Sequence, residues 1–260
     1  MVSGTTFAVL IAVTSVTLPG QNAVQAFNDP RSSSALPAAS NRPVNITPEM
    51  RGDIMMARKM YREAVEAYSE GPHDSAVLAN KIGIAWHQMM NLEQARREYE
   101  RAVKLNPKYN EAINNLGTVY YARKSYRRAV SQYNKALKLA PESASIYSNL
   151  GTAQFARKKY KDAAESYEKA LSLDPDVFEH RSSQGVLLQE RSVQERAKFH
   201  YYLAKTYAKA GAVDRALLYM RKCLEEGFQD RKKFQEEPEF AKLQDNEDFR
   251  QLLAMEPRVL

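Results

Sequence analysis

Between 110 and 143 the apolar residues fall first at Ile113, Leu116, Gly117 and Tyr120, the i, i+3, i+4, i+7 spacing of one helix face. They fall next at Ala129, Tyr133 and Ala136, which mark a second face of the same kind. Charged and amide residues fill most positions between. The pattern then recurs at a constant step: Ile82-Gly83, Leu116-Gly117 and Leu150-Gly151 are evenly spaced along the chain. Ala95, Ala129 and Ala163 keep step, as do Tyr99, Tyr133 and Tyr167, then Ala102, Ala136 and Ala170, then Pro107, Pro141 and Pro175. Small residues where two helix faces meet let the backbones approach, and the tyrosine fills the space beside them. Proline stops the second helix of each unit, because it lacks an N–H and disfavours helix in the residue before it.

These columns resemble the tetratricopeptide repeat (TPR), which has a period of about 34 residues and sets Leu-Gly against a downstream Ala, aromatic, Ala and Pro. The resemblance is most specific over the units 76–109, 110–143 and 144–177. No single helical pair can cover both its faces, so neighbours must stack into a solenoid. The expected fold is therefore all-α, a TPR helical-hairpin solenoid with a C-terminal helical cap.

Weaker units flank the centre. Ala64 and Tyr68 fall in the second-helix columns of a degenerate first repeat, whose junction through Gly71-Pro72 is three residues short of the period. Tyr202-Leu203-Ala204, Tyr207, Ala216, Met220 and Cys223 form a last repeat over 197–230, turned by Gly211. Gln184 occupies an apolar column, so 178–196 is expected as an irregular insertion. Beyond Phe228 the charged segments carry Phe234, Phe240, Leu243, Phe249, Leu252 and Leu253. Pro238 suits a first helical turn and Asn246 an N-cap, which predicts a cap over 231–260. The repeat-bearing stretch as a whole is 47–230.

At the N-terminus the apolar run from Phe7 to Leu18, followed by Pro19-Gly20 and Ala23-Val24-Gln25-Ala26, reads as a secretory signal over 1–26, although no Lys or Arg precedes it. The run is too short to cross a bilayer, which takes roughly 20 apolar residues. Ser, Pro, Ala and Asn then dominate 27–46, a flexible linker. These segments place the protein outside the cytoplasm, secreted or periplasmic, with no transmembrane segment in the mature chain.

Chemistry is not apparent in the sequence. His73, His87, His180 and His200 make no metal-binding spacing, and no nucleophile-elbow, P-loop or dinucleotide-binding pattern occurs. Acid pairs such as Glu225-Glu226 and Glu236-Glu237 lie in charged stretches that read as solvated surface. Cys223 is the one cysteine, which excludes a disulfide or zinc cluster within the chain, and it stands in a small-residue core column. Trp86 fills the column of Tyr120. No catalytic residue, metal or cofactor is expected, and the chain reads as a non-catalytic binder of a protein or peptide.

Two surfaces are candidates for that binding. Residues half a turn from the core face of each first helix form one: Asn80, Ile84 and His87; Asn114, Asn115, Thr118 and Tyr121; Ser148, Asn149, Thr152 and Phe155. His87, Tyr121 and Phe155 keep the repeat spacing, a ladder of rings beside amides and hydroxyls. The resemblance implies that this face lines a concave groove. The carboxylate clamp known in that family needs cations there, whereas Asn80, Ile84, Asn115, Ser145 and Asn149 occupy those places, so recognition of an acidic C-terminal tail is not implied.

The second surface is a basic ridge at the helix turns: Arg123, Lys124, Arg127 and Arg128, then Arg157, Lys158, Lys159 and Lys161. It fits a solubilising edge, an acidic protein partner or membrane headgroups, all consistent with a net charge of +7. Nucleic acid is not expected, since only Tyr126 and Tyr160 interleave the ridge and both begin second helices. A structural assembly subunit of the cell envelope, or an accessory module presenting substrates to an enzyme, are the alternative roles. Oligomeric state is open. Export predicts a mature N-terminus at Phe27; mass spectrometry of natively expressed protein checks it, and a retained Met1 in cytoplasmic protein contradicts it.

Overall fold

The structure is a computed structural model that describes residues 46–179 and 192–255. The signal, nearly all of the linker, His180, Gln184 and most of the expected insertion lie outside the described residues. Every described element is helical, and the first ten form hairpins: α1 (Pro48–Ala57) with α2 (Tyr61–Ser69), α3 (Ala76–Gln88) with α4 (Leu92–Leu105), α5 (Asn110–Ala122) with α6 (Tyr126–Leu139), α7 (Ala144–Ala156) with α8 (Tyr160–Leu173), and α9 (Val193–Lys209) with α10 (Val213–Glu225). From α1 to α8 each helix packs on the next, within and between hairpins. This is a TPR solenoid.

One contact recurs inside the hairpins. A Cβ added at Gly83 or Gly117 would stand 2.6 Å from the ring of Tyr99 or Tyr133, and one at Gly151 would stand 2.5 Å from Tyr167. The spacing from glycine to tyrosine is identical in all three hairpins, and each tyrosine is at most 1% exposed. Burying such a ring contributes about 2 to 3 kcal/mol. The glycine is therefore required by close approach, since any side chain there would displace the ring that joins the two helices.

Gly52 makes the same contact with Tyr68, at the same spacing along the chain. The first hairpin is thus a full member of the series, anchored by a glycine that the repeat columns miss. Its period is short for a simple reason. Helix α2 stops one residue after Tyr68, whereas α4 runs six past Tyr99. The connection from α2 to α3 is two residues longer than that from α4 to α5, and this restores only part of the difference. In the last hairpin Ala204 takes the glycine place and Met220 the tyrosine place, both buried in one cluster.

The helix ends follow from local chemistry. Thr47, Ser75, Asn91, Ser192 and Asn246 accept side-chain N-cap bonds, with Pro48 at the first position of α1. Before Pro107, Pro141 and Pro175 the C-cap residues Asn106, Ala140 and Asp174 leave the helical region, at φ −137°, −133° and −148°. Each first helix ends on a residue with positive φ: Lys59, Met90, Lys124, Lys158 and, in the last hairpin, Gly211. Ser125 N then donates to Tyr120 O and Lys124 N to Tyr121 O, a Schellman turn. Side chains other than glycine cost roughly 1 to 2 kcal/mol in that conformation.

Helix α9 begins at Val193, so the last four residues assigned to the irregular insertion are its first turn, capped by Ser192. After α10, the short helix α11 (Lys233–Glu236), a 3-10 turn (Pro238–Leu243) and α12 (Glu247–Ala254) form the cap. Phe234, Phe240, Leu243, Phe249 and Leu252 are buried in one cluster with Tyr201, Leu203 and Met220 of the last hairpin. Cys223 is fully buried there, and burial pushes its thiol pKa well above the ordinary range, so it is an inert core residue. Trp86 is half-buried against the core of the first repeats.

Gly117→Leu or Ala129→Leu overpacks the α5/α6 contact and is expected to cost about 1 to 3 kcal/mol or more in thermal or urea melts. Lys124→Ala keeps the same backbone cost and is expected to stay within about 0.5 kcal/mol of wild type. Lys124→Gly is expected to stabilise by about 0.5 to 1 kcal/mol, the relieved strain of roughly 1 to 2 less the extra chain entropy of glycine, about 0.5 to 1. Unchanged melts for the leucine variants contradict the helix register.

Candidate functional site

The first helices α3, α5 and α7 carry the amide face, and hydrogen bonds tie its members across the repeats. Asn115 Nδ2 donates to Asn80 Oδ1 and Asn149 Nδ2 to Asn114 Oδ1, both at 3.0 Å. Each bond joins positions 35 apart in sequence, one beyond the repeat period. Asn80 also donates to the hydroxyl of Tyr109 at 3.3 Å. With its carbonyl and one amide hydrogen engaged, Asn80 is 4% exposed and belongs to the seam between helices.

The hydroxyls have a second use. Tyr133 donates to Thr118 Oγ1 at 3.3 Å and Tyr167 to Thr152 Oγ1 at 3.4 Å, while Tyr68 donates to Asp53 at 2.7 Å. In all three hairpins the acceptor directly follows the glycine under the ring. Thr118 and Thr152 in turn donate to the carbonyls of Asn114 and Ser148. These two threonines therefore satisfy buried tyrosine hydroxyls, a need that the sequence columns do not reveal.

Two of the three rings of the expected ladder, Tyr121 and Phe155, lie inside the protein rather than on an open face. Tyr121 is 6% exposed, with its ring 5.2 Å from Tyr126, and Phe155 is 5% exposed. Phe155 packs edge-on against Tyr160, Phe199 and Tyr202 at 5.3 to 5.8 Å, and two of those rings come from α9. Helical phase cannot foresee burial supplied from the next hairpin. Ser148 and Asn149 are buried too. His87 remains half-exposed, edge-on to Tyr99, and burial lowers its pKa so that it is a neutral imidazole at pH 7.

What stays accessible is narrower than the face read from the sequence. Ile84, His87, Asn114, Asn115 and Thr152 are half-exposed. Asn114 Nδ2 and Asn115 Oδ1 have no protein partner among the described residues, although the other end of each amide is fixed across the seam. The site thus presents a donor and an acceptor whose side chains are already held in place.

At the turns, Arg123 is set apart from the ridge, since it reaches back one repeat to Glu93 at 2.8 Å. Hydrogen bonds from Arg96, reinforced by Arg123, hold the Glu93 carboxyl down at about 2. Lys124, Arg127, Arg128, Arg157 and Lys159 remain together around a cleft between two turns. Lys158 is exposed beside it. Among the described residues no group of three or more His, Cys, Asp and Glu side chains could hold a metal ion, and no helix is long and apolar enough to cross a membrane.

The sequence model of the tetratricopeptide repeat matches residues 89–126 and 114–177. No curated protein matches the chain. Among solved structures, one crystal structure of MamA is similar at 20% identity and a TM-score of 0.48, covering 67% of this chain and 93% of that one. A second MamA structure is similar at 20% identity and 0.49, over 73% and 93% of the two chains. MamA from Desulfovibrio magneticus RS-1, from residue 41 to the end, is similar at 20% and 0.48, over 67% and 90%. The evenly spaced columns, the stacked hairpins and the matching repeat model agree that residues 89–177 are tetratricopeptide repeats, units that stack into a helical solenoid.

Proposed function

We propose that this protein is an exported, non-catalytic scaffold of a bacterial cell envelope that holds an extended peptide segment of a partner on the amide face of its first helices. Export rests on the apolar run and small-residue cleavage pattern before Phe27. The observation that carries the binding reading is the pair Asn114 and Asn115. Each amide has one end held across a repeat seam and the other open to solvent. An extended backbone offers alternating C=O and N–H groups, which Asn114 Nδ2 and Asn115 Oδ1 complement without demanding a particular sequence. Because the amides are already positioned, little side-chain entropy is lost on binding. Half-exposed Ile84 and neutral His87 extend the surface by one repeat and bring no charge.

Tyr121 and Phe155 support this face from beneath, so removing either perturbs the fold and does not report on contact. Asn114→Asp is the cleaner variant, because it keeps the Oδ1 acceptor for Asn149 and removes the amide donor. With the partner that the full chain recovers from its native source, Asn114→Asp is expected to weaken binding more than tenfold, about 1.4 kcal/mol. Its melting temperature is expected to stay unchanged. Equal affinity in a folded variant, measured by titration calorimetry, moves the partner off this face.

A further inference from the structure

The cleft between the α5–α6 turn and the α7–α8 turn has a volume of about 700 Å³ and is lined by Lys124, Arg127, Arg128, Arg157 and Lys159, with Ser125 and Tyr126 completing it. Its described lining holds five cations and no carboxylate. Like charges gathered around one concavity repel, and low-dielectric walls strengthen the field between them.

Among the described residues, several cations elsewhere are paired with carboxylates, although others stand singly on the surface. Arg96 pairs with Glu93 and Glu100 at 2.7 Å, Lys81 with Glu49 at 2.8 Å and Lys209 with Glu168 at 2.8 Å. Arg123, next to Lys124, also has its carboxylate. In contrast, Lys124, Arg127, Arg157 and Lys159 form no ion pair among the described residues, and Arg128 lies 5.8 Å from the Tyr120 ring centre, a contact that leaves its charge intact.

Two helices start at the cleft: α8 carries Asp162 in its first turn, with no ion pair to a cleft cation among the described residues, and α6 adds to the imbalance. Helix α6 opens without a side-chain cap and has no acid in its first turn, where Arg127 and Arg128 stand at the positive end of the helix dipole. At the matching turn one repeat earlier, α4 is capped by Asn91 and carries Glu93. Lys124 also holds a φ of 58°, where Gly211 of the last hairpin shows that the same turn accepts glycine. A charged side chain is kept where the backbone favours none.

We propose that this cleft binds an acidic segment of another protein, with aspartate or glutamate side chains paired to Arg127 and Arg157. Guanidinium groups take carboxylates in bidentate geometry, and a flexible chain can carry several into a concavity. A bilayer surface fits less well, because none of the exposed large apolar residues lies at these two turns; Met60 and Met90 belong to earlier ones. Base stacking is not offered either, since Tyr126 packs on Tyr121 and Tyr160 stacks on Tyr202 at 5.2 Å.

Fluorescence anisotropy of the full chain with a short labelled peptide of alternating Glu and Gly tests this. Binding is expected to weaken as salt shortens the screening length from about 10 Å at 0.1 M, and to fall at least ~tenfold in Arg127→Glu/Arg157→Glu. Lys124→Ala/Lys159→Ala, at two exposed positions, is expected to weaken it several-fold and decides the matter if the charge-reversed variant does not fold. Arg250→Ala, exposed on α12, is expected to leave it unchanged. No measurable peptide binding, equal binding by folded cleft variants, or binding of anionic phospholipid vesicles that the peptide does not displace would each overturn the proposal.

Discussion

A tyrosine ring closing over a glycine of the preceding helix is the contact on which each of the first four hairpins depends. The ring needs a place without a side chain, and the glycine needs a filler for the space it leaves. Because the two keep one constant spacing along the chain, the contact sets the register of one helix against the other. In three of the four hairpins the hydroxyl at the far end of the ring also finds an acceptor, Asp53, Thr118 or Thr152, at the position after the glycine; in the α3/α4 hairpin that position is the apolar Ile84. Apolar burial and polar satisfaction thus meet in one side chain, as buried tyrosine requires.

With the hairpins fixed internally, their stacking is left to the faces between them. Apolar residues provide most of that contact, while the asparagine bonds from Asn115 to Asn80 and from Asn149 to Asn114 add direction. A neutral amide suits the seam because it can donate to one repeat and accept from another. The same bonding makes the accessible part of the amide face small and rigid. The basic cleft arises differently, from five lysines and arginines at two turns whose described lining holds no carboxylate, so the two surfaces differ in both chemistry and place.

The repeat period, the glycine and tyrosine columns and the proline stops are legible in the sequence, because each unit satisfies local rules and repeats them at constant spacing. Gly52 is not. A shortened α2 moves it out of the repeat columns, yet its spacing to Tyr68 matches that of the other glycine–tyrosine pairs and is the better signal. The outward assignment of Tyr121 and Phe155 follows from helical phase alone. That phase knows one helix, whereas Phe199 and Tyr202, which enclose Phe155, belong to a hairpin far along the chain. The roles of Thr118 and Thr152 likewise depend on where a tyrosine hydroxyl ends in space. The basic turns are visible as a run of charge, and what the fold adds is the separation of Arg123, which is paired, from the cleft cations, which form no ion pair among the described residues.

The glycine–tyrosine pairing can be measured as a coupling energy. Ala204 and Met220 already occupy the paired places in the last hairpin, so exchanging both partners in the α5/α6 hairpin imitates a combination that this protein uses. A double-mutant cycle of Gly117→Ala and Tyr133→Met, followed by urea unfolding, isolates the term. If the ring and the missing side chain are complementary, each single change destabilises, and the double variant recovers at least about 1 kcal/mol relative to their sum. Additivity within about 0.3 to 0.5 kcal/mol would show that the two positions act independently and would contradict the account.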